Sequence, residues 1–207
     1  MTPEDKTKFK TEAQTRSLTV LSSVPTSKRI DTDFYVEGYA ARDEPYVLYY
    51  DMDGEPIYER FEPGCFDACD MSDVIMQYDH AGKVHARTTN GSLLVEADQV
   101  GLFTAADLGR SEAARDLYAD IDAKMVTKMS WRFRVGEYYY DAPSRTIVHK
   151  TVRKIYDVSA VSIPANDNTE INARAFVDGE IAEAARREAE LDARRRKLRL
   201  KLRLQED

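Results

Sequence analysis

Lys128-Met129-Ser130-Trp131-Arg132-Phe133-Arg134-Val135 alternates without a break between apolar and polar side chains. Met129, Trp131, Phe133 and Val135 share one parity, and Lys128, Ser130, Arg132 and Arg134 share the other. Successive side chains of a strand point to opposite faces, so the first set is predicted to bury against a core and the second to face a groove or solvent. The segment displays one serine beside two guanidinium groups. On these residues alone Ser130 is either an ordinary solvent-face serine or a nucleophile.

Outward from this stretch the same period recurs. The serine strand is read as residues 128–140, followed by strands at 145–152 and 154–163 and a loop over Pro164, Ala165, Asn166, Asp167 and Asn168. Before it, Ser111 caps a helix over residues 111–123 with Ala114, Leu117, Tyr118 and Ile121 on one stripe. Earlier still come strands at 34–41, 46–50, 56–61 and 73–80, then a meander over 83–88, 92–97 and 100–106 with turns at residues 89–91 and 98–99. His80 shares its parity with Val74, Met76 and Tyr78, which predicts that it leaves the apolar face at its strand's end. Many strands with one internal helix make the class α+β.

The ends differ from the body. Residues 1–31 mix Thr, Ser, Lys and Glu with few large apolar groups and read as a mobile arm, with a short strand at 17–21. Residues 32–175 are the body, and 176–207 form a charged helical tail in which Leu198, Leu200, Leu202 and Leu204 alternate with Arg199, Lys201 and Arg203. Residues 1–29 carry a net charge of +3 and residues 180–207 a net +2, so of the total of -7 the middle 150 residues hold -12. An acidic body argues against nucleic-acid binding and leaves its basic arms to acidic partners. No apolar run approaches the roughly 18 residues of a spanning helix, and the first ten residues are too polar for a signal peptide, so a soluble protein kept in a cytosol is expected.

Cys65 and Cys69 are the two cysteines, and with His80 and His85 they brush against a zinc-finger spacing. The gap of ten between Cys69 and His80 is shorter than such modules use, and Gly64-Cys65-Phe66 reads as a turn. Two reduced, partly buried thiols are the expectation, with no metal and no cofactor.

His80, Ser130 and Asp157 stand on separate strands of one predicted sheet. A serine nucleophile needs a base within hydrogen-bond reach, and the base works best when a third group fixes its tautomer. Asp157 shares parity with Ile155, Val161 and Ile163, which places a carboxylate toward an apolar face where it needs a partner. Spacing alone does not select these three, since a chain of this size always holds a serine, a histidine and an aspartate.

Five blocks narrow the choice. Glu62-Pro63-Gly64-Cys65-Phe66, Gln77-Tyr78-Asp79-His80, Gly101-Leu102-Phe103, Met129-Ser130-Trp131-Arg132-Phe133 and Asp157-Val158-Ser159-Ala160-Val161-Ser162-Ile163-Pro164-Ala165 follow one another in this order. Together they resemble the prohead maturation proteases of tailed bacteriophages, over residues 33–175. The resemblance implies a mostly antiparallel, β-barrel-like core of about seven or more strands with surrounding helices, related to the herpesvirus assemblins. It implies a serine endopeptidase acting in the host cytoplasm inside the assembling prohead. Its implied partners are the major capsid protein with its scaffolding segment and the enzyme itself, and a homo-oligomer is left open. By the same resemblance Ser130 is the nucleophile, His80 the general base and Asp157 the orienting group. Assemblins use a second histidine in that third role, which makes His149 the rival. The sequence departs from the family at Cys65, where Ala is common, and at Trp131, where Gly or Phe is common. Arg132 and Arg134 either attract an acidic substrate segment or form a solvated strand face. A non-enzymatic scaffold or core protein of the prohead is the alternative from another class.

Overall fold

Alternation becomes backbone pairing along most of the body. The computed structural model describes residues 13–23, 28–162, 182–183 and 185–197. Among them run β1 (Gln14–Val20), β2 (Tyr35–Arg42), β3 (Tyr46–Tyr50), β4 (Pro56–Phe61), β5 (Ile75–Tyr78), β6 (Ala81–Arg87), β7 (Leu93–Ala97) and β8 (Gly101–Asp107). The helix α1 (Glu112–Asp122) precedes β9 (Lys128–Val135), β10 (Tyr138–Asp141), β11 (Thr146–His149) and β12 (Val152–Val161). Residues 185–197 are helical, as the spacing in the tail predicts. The loop at 164–168, the leucine alternation at 198–204 and the first twelve residues lie outside the described residues. No helix among the described residues is long and apolar enough to cross a membrane.

The strands form three sheets, ordered β1-β9-β12-β5-β6, β10-β11-β4-β3 and β2-β8-β7. Pairing is antiparallel except between β12 and β5 and between β11 and β4. The mixed, largely antiparallel class matches the expectation, but no closed barrel forms among the described strands. The sheets instead share one core, with Val36 and Leu102 from the third sheet, Ile57 and Ile147 from the second, and Met76, Met129 and Ile155 from the first.

Two predicted strands are each split in two, and at the same corner. Residues 128–140 break at Gly136 and residues 145–152 break near Thr151, because here the chain leaves one sheet for another. Gly136 N donates to Thr151 O at 2.9 Å, and a Cβ on Gly136 would meet Thr151 Oγ1 at 2.2 Å. Only glycine lets the two backbones approach so closely. β9 thus hands the chain to β10 while β11 returns it to β12, which ties the serine strand's sheet to the second one.

The apolar parity of β9 fills the centre. Met129, Trp131, Phe133 and Val135 are all buried. Trp131 stacks on Phe133 at 4.1 Å between centroids and meets Phe61 edge-on at 5.2 Å and Phe66 at 5.8 Å. Trp131→Ala is therefore expected to destabilise the fold by about 3–5 kcal/mol, read as a lower urea midpoint; an unchanged midpoint would contradict this packing. The helix is as read from sequence: Ser111 accepts from Ala114 N at 3.2 Å, and Ala114, Leu117 and Ile121 are buried.

Candidate active site

Ser130 lies on the polar parity of β9, yet it is only 1% exposed. β1 and β12 flank its strand, and the His80 ring and the Arg16 carbonyl stand against its hydroxyl. Burial removes the solvent-face reading of this serine and makes its hydroxyl a group that must find partners.

Asp157 reaches the same face by a route that alternation does not predict. Ile155 pairs with Phe133 and Asp157 with Arg132, so Tyr156 is an extra residue at a bulge. A bulge reverses the alternation of a strand. Ile155 consequently faces the core, while Asp157 turns to the face of Ser130, where Ser159 stands directly opposite the serine. The carboxylate is 2% exposed.

His80 arrives from a turn rather than from a strand. β5 stops at Tyr78, and both Asp79 and His80 are in the left-handed region, at φ 48° and 56°. Such conformations cost non-glycine residues of order 1–3 kcal/mol and persist where the surroundings fix them. Asp79 N donates to Ala160 O at 2.9 Å, and the Asp79 carboxylate accepts from Ser162 N at 2.9 Å and Ser162 Oγ at 2.8 Å. These bonds anchor the turn to the end of β12, and the turn, not the pleat, aims the ring.

The three side chains form one hydrogen-bonded line. His80 Nδ1 is 2.5 Å from Asp157 Oδ1, and His80 Nε2 is 2.7 Å from Ser130 Oγ. An ionised carboxylate can only accept, so Nδ1 carries the proton and Nε2 offers its lone pair to the hydroxyl. Ser159 Oγ donates to Asp157 Oδ1 at 2.7 Å and accepts from Gln77 N at 3.3 Å, which fixes the carboxylate from behind. Arg132 Nε is 3.8 Å from Asp157 Oδ2 with its side chain 44% exposed, whereas Arg134 is half-buried. Sequence reading did not single out Ser159; its place two residues after Asp157, on the same parity, was the available signal. The serine, imidazole and carboxylate stand in the order that acyl transfer through an activated hydroxyl requires.

His149 is not part of this line. It is fully buried and its Nε2 lies 2.8 Å from Glu59 Oε1, with its ring stacked on Phe61 at 4.7 Å. Glu59 is also gripped by Arg16, through Nε at 2.5 Å and Nη2 at 2.8 Å, and by the Tyr46 hydroxyl. Burial pushes the Glu59 carboxyl up, but Arg16 and then His149 outweigh it and hold the group well below the usual carboxylate range. Burial likewise opposes the charge on Arg16, and Glu59 more than restores it. The two clusters touch through the main chain, for the Arg16 carbonyl oxygen lies 2.9 Å from Ser130 Oγ and competes with His80 Nε2 for the single hydroxyl proton.

The four residues of the zinc spacing are differently employed. Both His80 nitrogens are engaged by Asp157 and Ser130, and among the described residues no three His, Cys, Asp or Glu side chains gather in a way that could hold a metal ion. Cys65 and Cys69 are free thiols, each pushed up to about 12 by burial. Thiolate, not thiol, is the reactive form, so both are expected to resist iodoacetamide at neutral pH in the folded protein and to react after denaturation; rapid labelling of the native chain would contradict this burial. A cavity of about 440 Å³ between Arg42, Asp43, Phe61, Glu62, Pro63 and Asp98 contains none of Ser130, His80 and Asp157.

Comparison with known proteins adds one finding. A family model described as caudovirus prohead serine protease matches residues 23–183, which include Ser130, His80 and Asp157 and leave β1 outside. No curated protein and no solved structure matches.

Proposed function

The chain belongs to the caudovirus prohead serine proteases, and from that premise we propose that it is a serine endopeptidase of capsid maturation in which Ser130, His80 and Asp157 carry the reaction. The observation that supports this most is the unbroken line Ser130 Oγ–His80–Asp157, with contacts of 2.7 and 2.5 Å. His80 Nε2 takes the hydroxyl proton as Ser130 Oγ attacks the scissile carbonyl carbon. Negative charge builds on the carbonyl oxygen, and backbone N–H donors are the groups suited to receive it. The imidazolium then protonates the leaving amine, and an ester links Ser130 to the acyl half of the substrate. Water, activated by the same imidazole, hydrolyses the ester and frees the serine. Throughout, Asp157 keeps Nδ1 protonated and stabilises the imidazolium, with Ser159 holding the carboxylate in place.

The substrates in this reading are the scaffolding segment of the major capsid protein, or a separate scaffold, and finally the protease itself. Residues 32–175 serve as the catalytic body; 1–31, whose β1 is seated along the serine strand with Arg16 and Leu21 buried, and 176–207 are the segments open to removal. The site of action is the interior of the prohead in the host cytoplasm. The test is co-expression with the capsid protein, comparing intact masses of all chains for wild type and Ser130→Ala. Shortened capsid protein only with the wild type is expected. Identical masses in both cultures would refute proteolysis by this serine and favour a scaffold that does no chemistry.

A further inference from the structure

β1 stands outside the residues matched by the family model, which begin at residue 23. Without it the serine strand β9 would be the edge of its sheet, since the order is β1-β9-β12-β5-β6. A strand edge offers a row of N–H and C=O groups to which an extended peptide adds as one more strand. β1 fills the edge in that manner, antiparallel, with Arg16 opposite Trp131 and Ser17 opposite Ser130. Its Arg16 carbonyl oxygen is 2.9 Å from the Ser130 hydroxyl. Its Arg16 guanidinium enters a buried pocket, meeting both oxygens of Glu59, which His149 and Tyr46 also hold, and lying 5.7 Å from the Phe133 ring centre.

We infer that β1 is the chain's own peptide seated in the substrate groove, that Arg16–Ser17 is the bond it loses to Ser130, and that Glu59 is the specificity-determining residue, selecting a basic side chain on the acyl side of the scissile bond. This rests on the assignment of Ser130 as the nucleophile. In the resting arrangement the carbonyl oxygen, not the carbon, is turned toward the hydroxyl at 2.9 Å, beside the His80 Nε2 that takes the proton during attack. Reaction requires that oxygen to turn away so that the carbon meets Oγ. The pairing register slips between Ser17 and Thr19, immediately after this carbonyl, which leaves the strand room to turn. Attack then forms the Ser130 Oγ–Arg16 carbonyl carbon bond and breaks the bond from that carbon to Ser17 N, with the proton passing through His80 to the new amino terminus. Water cleaves the ester and leaves residues 1–16 with a carboxylate at Arg16.

Selectivity follows from burial. Glu59 is fully buried, so a substrate bearing an apolar or acidic side chain at this point leaves its charge without its main counter-ion. Arginine matches the carboxylate with two parallel N–H bonds, and lysine with one ammonium.

The experiment has two arms. In the first, wild type, Ser130→Ala and Arg16→Ala are each expressed at full length with the capsid protein, and all amino termini are mapped. The expected wild-type product begins at Ser17, and neither variant yields it. In the second, the wild-type chain is given a synthetic peptide of residues 11–23 and versions with Lys, Ala or Glu at position 16. Cleavage after Arg, less after Lys, and at least about 100-fold slower after Ala or Glu is expected. Capsid protein shortened by the wild type, without a Ser17 terminus and without preference among the peptides, would overturn the inference while leaving the protease intact. Absence of processing by any chain would overturn both. The peptide arm uses the wild-type chain, so it does not depend on the folding of a variant.

Discussion

Ser130→Ala is expected to lower peptide-bond hydrolysis by on the order of 10⁴–10⁶-fold, the loss that follows when one member of a serine, imidazole and carboxylate unit is removed. The stability of the fold should hardly move. The hydroxyl makes its contacts with His80 Nε2 and the Arg16 carbonyl oxygen, and a lost neutral hydrogen bond is worth about 0.5–1.5 kcal/mol net. The apolar side of the same strand, with Trp131 and Phe133 in the core, is untouched. Rate and stability thus separate: a dead enzyme with a normal urea midpoint is the expected result. Hydrolysis within tenfold of wild type would remove Ser130 from the mechanism. A collapsed midpoint together with lost activity would instead make the serine structural.

That separation reflects the way the strand was legible. The alternation of residues 128–135 carries both halves of the reading, and the structure keeps both: four core side chains on one parity and the serine on the other. What alternation misses are the places where the pleat is interrupted. The bulge at Tyr156 swings Asp157 from the side of Ile155 to the side of Ser130, and no local residue announces it. The left-handed pair Asp79–His80 ends β5 two residues early and aims the imidazole by a turn that neither glycine nor proline marks. Gly136 is the exception, for a glycine between two alternating runs is a visible signal of a close crossing.

The buried charges were half legible. Glu59 lies between Ile57 and Phe61 on the buried parity of β4, so a carboxylate stands where an apolar side chain is expected. That placement demands a counter-charge. Its partners come from residues 43 earlier and 90 later in the chain, in Arg16 and His149, and sequence distance conceals both. The same remoteness explains why His149 rivals Asp157 on paper: both are polar residues on strands near the serine, and only the three-dimensional course of β11 takes His149 into the second sheet.

Two substitutions divide the roles of these residues. Asp157→Asn replaces the acceptor of the His80 Nδ1 proton by an amide whose NH₂ can donate to that nitrogen instead. The favoured tautomer then carries its proton on Nε2, which faces Ser130 Oγ at 2.7 Å and can no longer accept from it. The imidazolium formed during attack also loses its facing negative charge. A fall in kcat of about 10⁴-fold is expected, with little change in KM. His149→Gln acts elsewhere. It alters the bond to Glu59 Oε1 inside the Arg16 cluster, so it should cost about 1–3 kcal/mol of stability and act on KM more than on kcat. Steady-state kinetics on one peptide substrate, beside urea titrations of both variants, reads all four quantities. If His149→Gln abolishes kcat while Asp157→Asn leaves it within tenfold, the third role passes to the histidine. The 2.5 Å contact between His80 and Asp157 would then be a structural tie rather than a catalytic one.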